Sequence, residues 1–230
     1  MIRAVFFDVR ALLYGPQGAE LLAAVLQGEG TSASPEAVTE AMAGLPAEVR
    51  EARGRIRTEE QEDEYHRAML PLLLRALGHG DPAGPVLARL VEAVREYPAW
   101  WSMYPEALPV LAQLQRRGLA LGVVANWEPS LRRFLAEFEI DHYFRVILSS
   151  MAAGVAKPDP RLFALGLEAV GCAAGEALHC GPSLPEDVAG AQAAGLRPVW
   201  VNRTGIPTGH EVVTVNDLRG LLLLLGNGGE

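Results

Sequence analysis

The chain has 230 residues, half of them hydrophobic, and carries 28 acidic against 20 basic side chains for a formal net charge of −8. This length suits one α/β core with a sizeable insertion and is too short for two large independent domains, and the apolar content excludes a largely disordered chain. The acidic balance excludes a general nucleic-acid or anionic-membrane partner, because both reward a basic surface.

The opening run 2–7 (IRAVFF) is apolar, aromatic and β-branched, and it reads as a strand buried on both faces. It is too short for the hydrophobic part of a signal peptide or for a membrane span, as is the leucine run 221–225, so the expected location is the cytoplasm. The chain breaks at Tyr14-Gly15-Pro16 and then turns helical from about 18 to 97, giving about four helices. Ser34-Pro35-Glu36 places a cap before a first-turn proline, Thr58-Glu59-Glu60-Gln61 is a capping box, and Asp81-Pro82 opens another helix.

Beyond Pro98 strands and helices alternate. Helices are expected over 105–117, 129–138, 160–170 and 185–194, and strands over 119–124, 145–149, 177–180 and 197–202. Repeated β-α units of this size imply a doubly wound parallel sheet with helices on both faces. The helical stretch interrupts that rhythm after the first strand, so residues 1–14 and 98–230 are assigned to the core and 15–97 to an insertion.

Ligands of open parallel sheets bind at the carboxyl ends of the strands. The residues to weigh are therefore Asp8, Asn126, Lys157 and the stretch from Gly181 to Asp187. Lys157 stands out by composition, being the one lysine among twenty basic residues. Cys172 and Cys180 fit neither a zinc site nor a disulfide framework and read as small core residues. The five histidines, His66, His79, His142, His179 and His210, lack ligand spacing and take structural or exposed roles.

Taken together, strand-Asp, strand-x-Asn, a Lys-Pro-Asp loop and a strand-Gly-x-Ser-Leu-x-x-Asp turn stand in the order of the four motifs of the haloacid dehalogenase-like superfamily. The chain resembles its phosphatase-like branch with a helical cap between motifs one and two. That resemblance implies a carboxylate nucleophile at Asp8, an offsetting ammonium at Lys157, a hydrogen bond from Asn126 to the reacting group, and Asp187 in the acidic cluster near a metal or the attacking water. Asp159 is instead expected to cap the helix that Pro160 begins.

Three positions depart from the family pattern. Arg10 stands where the phosphatases carry a second Asp that acts as general acid and base, Ala125 replaces the hydroxyl residue of motif two, and Pro182 replaces the acid that ligates magnesium. Magnesium wants near-octahedral oxygen ligands, so its site is expected to be lost. A positioned general acid is worth ~10²–10⁴ in rate, and a metal ion contributes roughly several kcal/mol of charge stabilisation. Losing either leaves a poor phosphatase.

Three functions follow for comparison: an anion- or partner-binding protein of phosphatase ancestry, a metal-independent hydrolase on the dehalogenase pattern using Asp8 and Lys157, and a residual magnesium phosphatase. Arg10, two residues beyond Asp8, is expected to return to the same face and, with Lys157, to surround that carboxylate with two cations, a net positive setting for a small anion. An Arg10 that turns outward to solvent or pairs with an acid of the insertion is the alternative. The run Arg50, Arg53, Arg55 and Arg57 is either a solvated helix face paired with the acids at 59–64 or a substrate-facing patch of the insertion. Tyr97, Trp100, Trp101 and Tyr104 are expected to pack where the insertion returns to the core.

Overall fold

A computed structural model of the chain describes residues 1–31, 33–79, 84–206, 209 and 211–226. The chain divides into two compact units, Met1–Tyr14 with Met103–Glu230, and Gly15–Ser102.

The first unit is built on a six-stranded sheet of β1 (Ala4–Phe7), β2 (Ala120–Ala125), β3 (Val146–Ser149), β4 (Ala177–Gly181), β5 (Arg197–Val201) and β6 (Thr214–Val215). The spatial order is β3-β2-β1-β4-β5-β6 with every neighbouring pair parallel. The expected doubly wound α/β class is therefore the one the chain adopts. Strand order reverses at β1, so the carboxyl ends of β1, β2 and β4 mark the switch point at which such sheets bind ligands. The sixth strand was not anticipated, because two residues carry no periodicity to read. Backbone pairing makes it: Trp200 N–H donates to Val213 O at 2.8 Å and Asn202 N–H to Val215 O at 2.9 Å.

β1 is buried along its whole length, as its apolar run requires. Phe6 pairs in register with Gly122, and its ring fills the space above that glycine. A Cβ added at Gly122 would meet the ring at 2.6 Å and Val146 at 2.9 Å. Leu162 and Phe163 of the helix Pro160–Val170 close the same core over Phe6 and Val124. That helix begins as expected: Asp159 accepts from Arg161 N–H at 2.9 Å, Pro160 takes the first turn, and Gly171 ends it at φ 69°.

The helix expected over 185–194 is split. Leu184–Val188 forms a wide π turn, and Ala189–Ala193 continues as α-helix. Ser183 caps the turn by accepting from Glu186 N–H, and the extra width directs Asp187 inward, where it is buried.

The second unit is helical: Gly18–Gly28, Pro35–Ala43, Ala47–Gly54, Glu59–Ala76 and Pro85–Arg95 are its α-helices among the described residues. The helix Ala47–Gly54 carries the start of the arginine-rich stretch, which had been weighed as a solvated helix face. Its guanidinium groups serve local backbone and nearby acid: Arg50 donates to Leu45 O, Arg57 to Gly54 O and Ile56 O, and exposed Arg55 lies 4.0 Å from Glu51. Ser34 and Thr58 cap as expected, but Gln61 does not close a box on Thr58. Its side-chain carbonyl instead accepts from Arg57 N–H at 2.8 Å. Asp81-Pro82 lies outside the described residues. Near the end of this unit, Tyr97 donates to Pro16 O at 2.9 Å, and Trp101 is buried against Gly15. No helix among the described residues is long and apolar enough to cross a membrane.

Replacing Gly122 with alanine is expected to lower stability by about 1–3 kcal/mol through overpacking against Phe6. Urea unfolding measures it, and an unchanged midpoint would show that Phe6 can shift at little cost.

Candidate active site at the switch point

Asp8 follows directly on β1. Its N–H donates to Cys180 O at 2.9 Å, which clamps the strand end to β4, and its Oδ1 accepts from Arg10 N–H at 2.8 Å as the cap of the short helix Val9–Leu12. Asn126, one residue past β2, holds the Lys157 peptide from both sides. Lys157 N–H donates to its Oδ1 at 2.8 Å, and its Nδ2 donates to Lys157 O at 3.0 Å. The role expected for Asn126 was a hydrogen bond to the reacting group, whereas its amide is engaged with the lysine loop.

That grip aims the lysine side chain inward. Its ammonium is fully buried and donates to Asp8 Oδ2 at 2.7 Å and to Asp187 Oδ1 at 2.5 Å. Asp187 accepts two further bonds, from His179 Nε2 at 2.9 Å on Oδ1 and from Ser183 N–H at 2.9 Å on Oδ2. Only glycine at 181 lets the carboxylate lie so close to the strand end, since a Cβ there would fall 2.2 Å from it. Pro182, at the front of the same turn, offers a carbonyl that accepts from Trp200 Nε1 at 2.8 Å.

Asp8, Lys157, Asn126 and Asp187 are thus one contiguous set. Arg10 joins it through its backbone. Its side chain is exposed and makes no ion pair or hydrogen bond among the described residues, so the expected pairing of its guanidinium with Asp8 is not found. The expected charge balance changes for a second reason. Lys157 is shared by two buried carboxylates, so the buried set is net negative where two cations around one carboxylate had been anticipated. Ala125 is fully buried at the end of β2 and brings no polar atom.

Two contributors were not singled out from sequence. Ser183 was hidden because its backbone N–H, not its hydroxyl, binds Asp187. His179 had been assigned a structural or exposed part, and the available signal was its position as the one imidazole in a strand otherwise made of Ala, Leu, Cys and Gly, two residues before the glycine.

Burial works against the charge on Lys157, Asp187 and His179, and for the first two the partners outweigh it. Desolvation lowers the Lys157 pKa, yet the charges of Asp8 and Asp187 raise it above the ordinary lysine value. Desolvation raises that of Asp187, but the bond from His179 and the charge of Lys157 hold it below the usual carboxylate range. For His179 burial prevails, and its pKa is lowered.

The haloacid dehalogenase-like hydrolase family matches residues 2–195. The chain belongs to that family. It is 43% identical over 133 residues to a phosphoserine phosphatase of Thermus thermophilus, a stretch that covers 56% of this chain and 52% of that protein. Over 213 residues it is 32% identical to a glyceraldehyde 3-phosphate phosphatase of Methanopyrus kandleri, covering 88% of this chain and 85% of that one. Among solved structures, a 2-haloacid dehalogenase from Pseudomonas syringae pv. tomato superposes with a TM-score of 0.64 at 25% identity, covering 98% of both chains. Phosphatase relatives and dehalogenase neighbours thus bracket the chain.

The buried set carries a pH dependence. Because the His179 pKa is lower in the folded than in the unfolded chain, its contribution to stability is present above about pH 6.5 and is lost as pH falls towards the folded value. Asp187 acts in the same sense at lower pH, its contribution falling away below about pH 4. Urea unfolding between pH 7 and 5 is expected to show stability declining by up to ~1.4 kcal/mol per pH unit. His179→Gln should remove that limb, and an equal acid slope in the variant would assign it to other groups.

Proposed function

We propose that this chain is a haloacid dehalogenase-like protein of phosphatase descent that has given up magnesium-dependent turnover and binds a small anion beside Asp8, Arg10 and Lys157. The observation that carries the reading is that the protein's own donors engage both oxygens of each carboxylate. Asp187 takes Lys157, His179 and Ser183, and Asp8 takes Lys157 and Arg10 N–H. Position 182, where the family pattern has an acid, supplies a proline carbonyl already bonded to Trp200. Among the described residues no group of three or more His, Cys, Asp and Glu side chains is arranged to hold a metal ion. The donors present do not fit Mg²⁺, which needs a near-octahedral oxygen shell drawn largely from carboxylates and water.

Arg10 supports the anion part of the reading. The exposed Arg10 guanidinium has no carboxylate partner among the described residues and presents paired N–H donors to phosphate, sulfate or a carboxylate. The helical unit takes the part of the family's cap domain in this reading.

One observation favours a second function. Asp8 and Lys157 remain a close ion pair, which is the pair a metal-independent hydrolase needs. In that chemistry an Asp8 oxygen would attack the carbon that bears the halogen, halide would depart with the bonding electrons, and water would cleave the resulting ester. Halide release from a 2-haloacid separates this function from the first.

With a chromogenic phosphate ester the wild-type protein is expected to show no magnesium-dependent rate. The triple variant Arg10→Asp, Ala125→Thr, Pro182→Asp should gain at least about 10²-fold, the low end of what a positioned general acid contributes. A magnesium-dependent rate in the wild type would overturn the proposal. A folded triple variant with no gain would mean that more than these three positions separates the chain from its phosphatase relatives.

A further inference from the structure

We propose that His179 is a positioning residue for the Lys157 ammonium, acting through the one carboxylate oxygen that both of them bond. The inference concerns how the ammonium is held and does not depend on whether the site turns over a substrate.

Asp187 Oδ1 receives two donors from different parts of the fold: Lys157 Nζ at 2.5 Å from its loop, and His179 Nε2 at 2.9 Å from the middle of β4. An ionised carboxylate only accepts, so the imidazole nitrogen facing it carries the proton. The other nitrogen, Nδ1, is then bare, and it is buried without a hydrogen-bond partner among the described residues. A fully buried imidazole that satisfies one nitrogen and leaves the other empty is spending its single donor on Asp187.

The ring itself is held in place. Phe163 meets it edge-on at 4.9 Å and 86°, and Phe163 is in turn backed by Gly190, where a Cβ would come within 2.8 Å. The imidazole therefore offers Nε2 as a fixed point. Lysine, by contrast, is a point charge on a flexible four-carbon stem and cannot orient itself. With His179 in place, Oδ1 is pinned between strand and loop while Ser183 N–H holds Oδ2, so the carboxylate cannot rotate away from the ammonium. The lowered pKa of His179 agrees with a neutral donor, since a second positive charge beside Lys157 would weaken the arrangement. The groups facing the ring are Asp187 from the π turn, Lys157 from its loop, Asp8 from the end of β1, and the Phe163 edge.

The composition provides a direct readout, because Lys157 is the only lysine. In protein labelled with ¹⁵N-lysine, its ammonium protons should appear at neutral pH as one protected signal. His179→Asn moves the side-chain donor to the Nδ1 side of the ring, and exchange of the ammonium protons should quicken about tenfold or more, the scale of one charge-assisted hydrogen bond. His179→Gln places its amide nitrogen near the Nε2 position and should restore the protected signal. An unchanged signal in the Asn variant overturns the proposal, and so does equal loss in both variants, which would assign the effect to packing alone. A measurement on the wild-type protein guards against variants that do not fold. Long-range ¹H–¹⁵N histidine correlations must show the Nε2–H tautomer, and finding the Nδ1–H form or an imidazolium at neutral pH overturns the proposal outright.

Discussion

The Lys157 ammonium between Asp8 and Asp187 is the interaction on which the switch point depends. Taking three charges out of water costs several kcal/mol per ion, and only close pairing with every remaining lone pair satisfied returns that cost. The surrounding structure supplies the pairing. Cys180 O anchors Asp8, Asn126 grips the lysine peptide, and His179 and Ser183 complete Asp187. A compact ammonium meets both carboxylates in less space than a planar guanidinium occupies, which gives a physical reason for one lysine in a chain that otherwise uses arginine.

The turn after β4 is shaped around this centre. Glycine at 181 makes room for the carboxylate, Ser183 caps, the π turn widens to direct Asp187 inward, and Trp200 of β5 ties down the Pro182 carbonyl. A proline at 182 is compatible with all of these contacts because none uses a side chain there. What it withholds is a carboxylate. In the proposed reading, the hydrogen-bonded frame of this turn persists while position 182 brings no carboxylate to hold a cation, which is why the chain is read as a binding protein on a hydrolase fold.

A second fastening lies beside the same strands. Arg203, just past β5, donates to Glu106 Oε1 at 2.7 Å and to Ala11 O at 2.8 Å, and its guanidinium carbon lies 3.3 Å from the Tyr104 ring centroid. Tyr104 N–H donates to Leu12 O at 3.0 Å. The segment that leaves β1 and the segment that re-enters the core unit are held together by one side chain, and the helix capped by Asp8 is steadied with them. Nothing local in the Asn202-Arg203-Thr204 stretch announces this, because the partners of the Arg203 guanidinium are remote in sequence.

The sequence by itself determined the class of fold and proposed the candidate site. Apolar runs bounded by glycines and prolines marked five strands of the sheet, the rule that parallel sheets bind ligands at their carboxyl ends selected Asp8, Asn126, Lys157 and the stretch from Gly181 to Asp187, and the family resemblance singled out Asp187 within that stretch. These are local or topological facts, carried by residue order. Only the tertiary structure decided who bonds to whom: that Asn126 serves a peptide, that Asp187 shares the ammonium with Asp8, that the Arg10 side chain stays exposed and without a partner among the described residues, and that His179 Nε2 lies against Asp187 Oδ1. The reason is physical. Hydrophobic periodicity reports which face of an element is buried, whereas a buried charge is settled by the few donors that happen to lie within about 3 Å once remote strands and loops have packed.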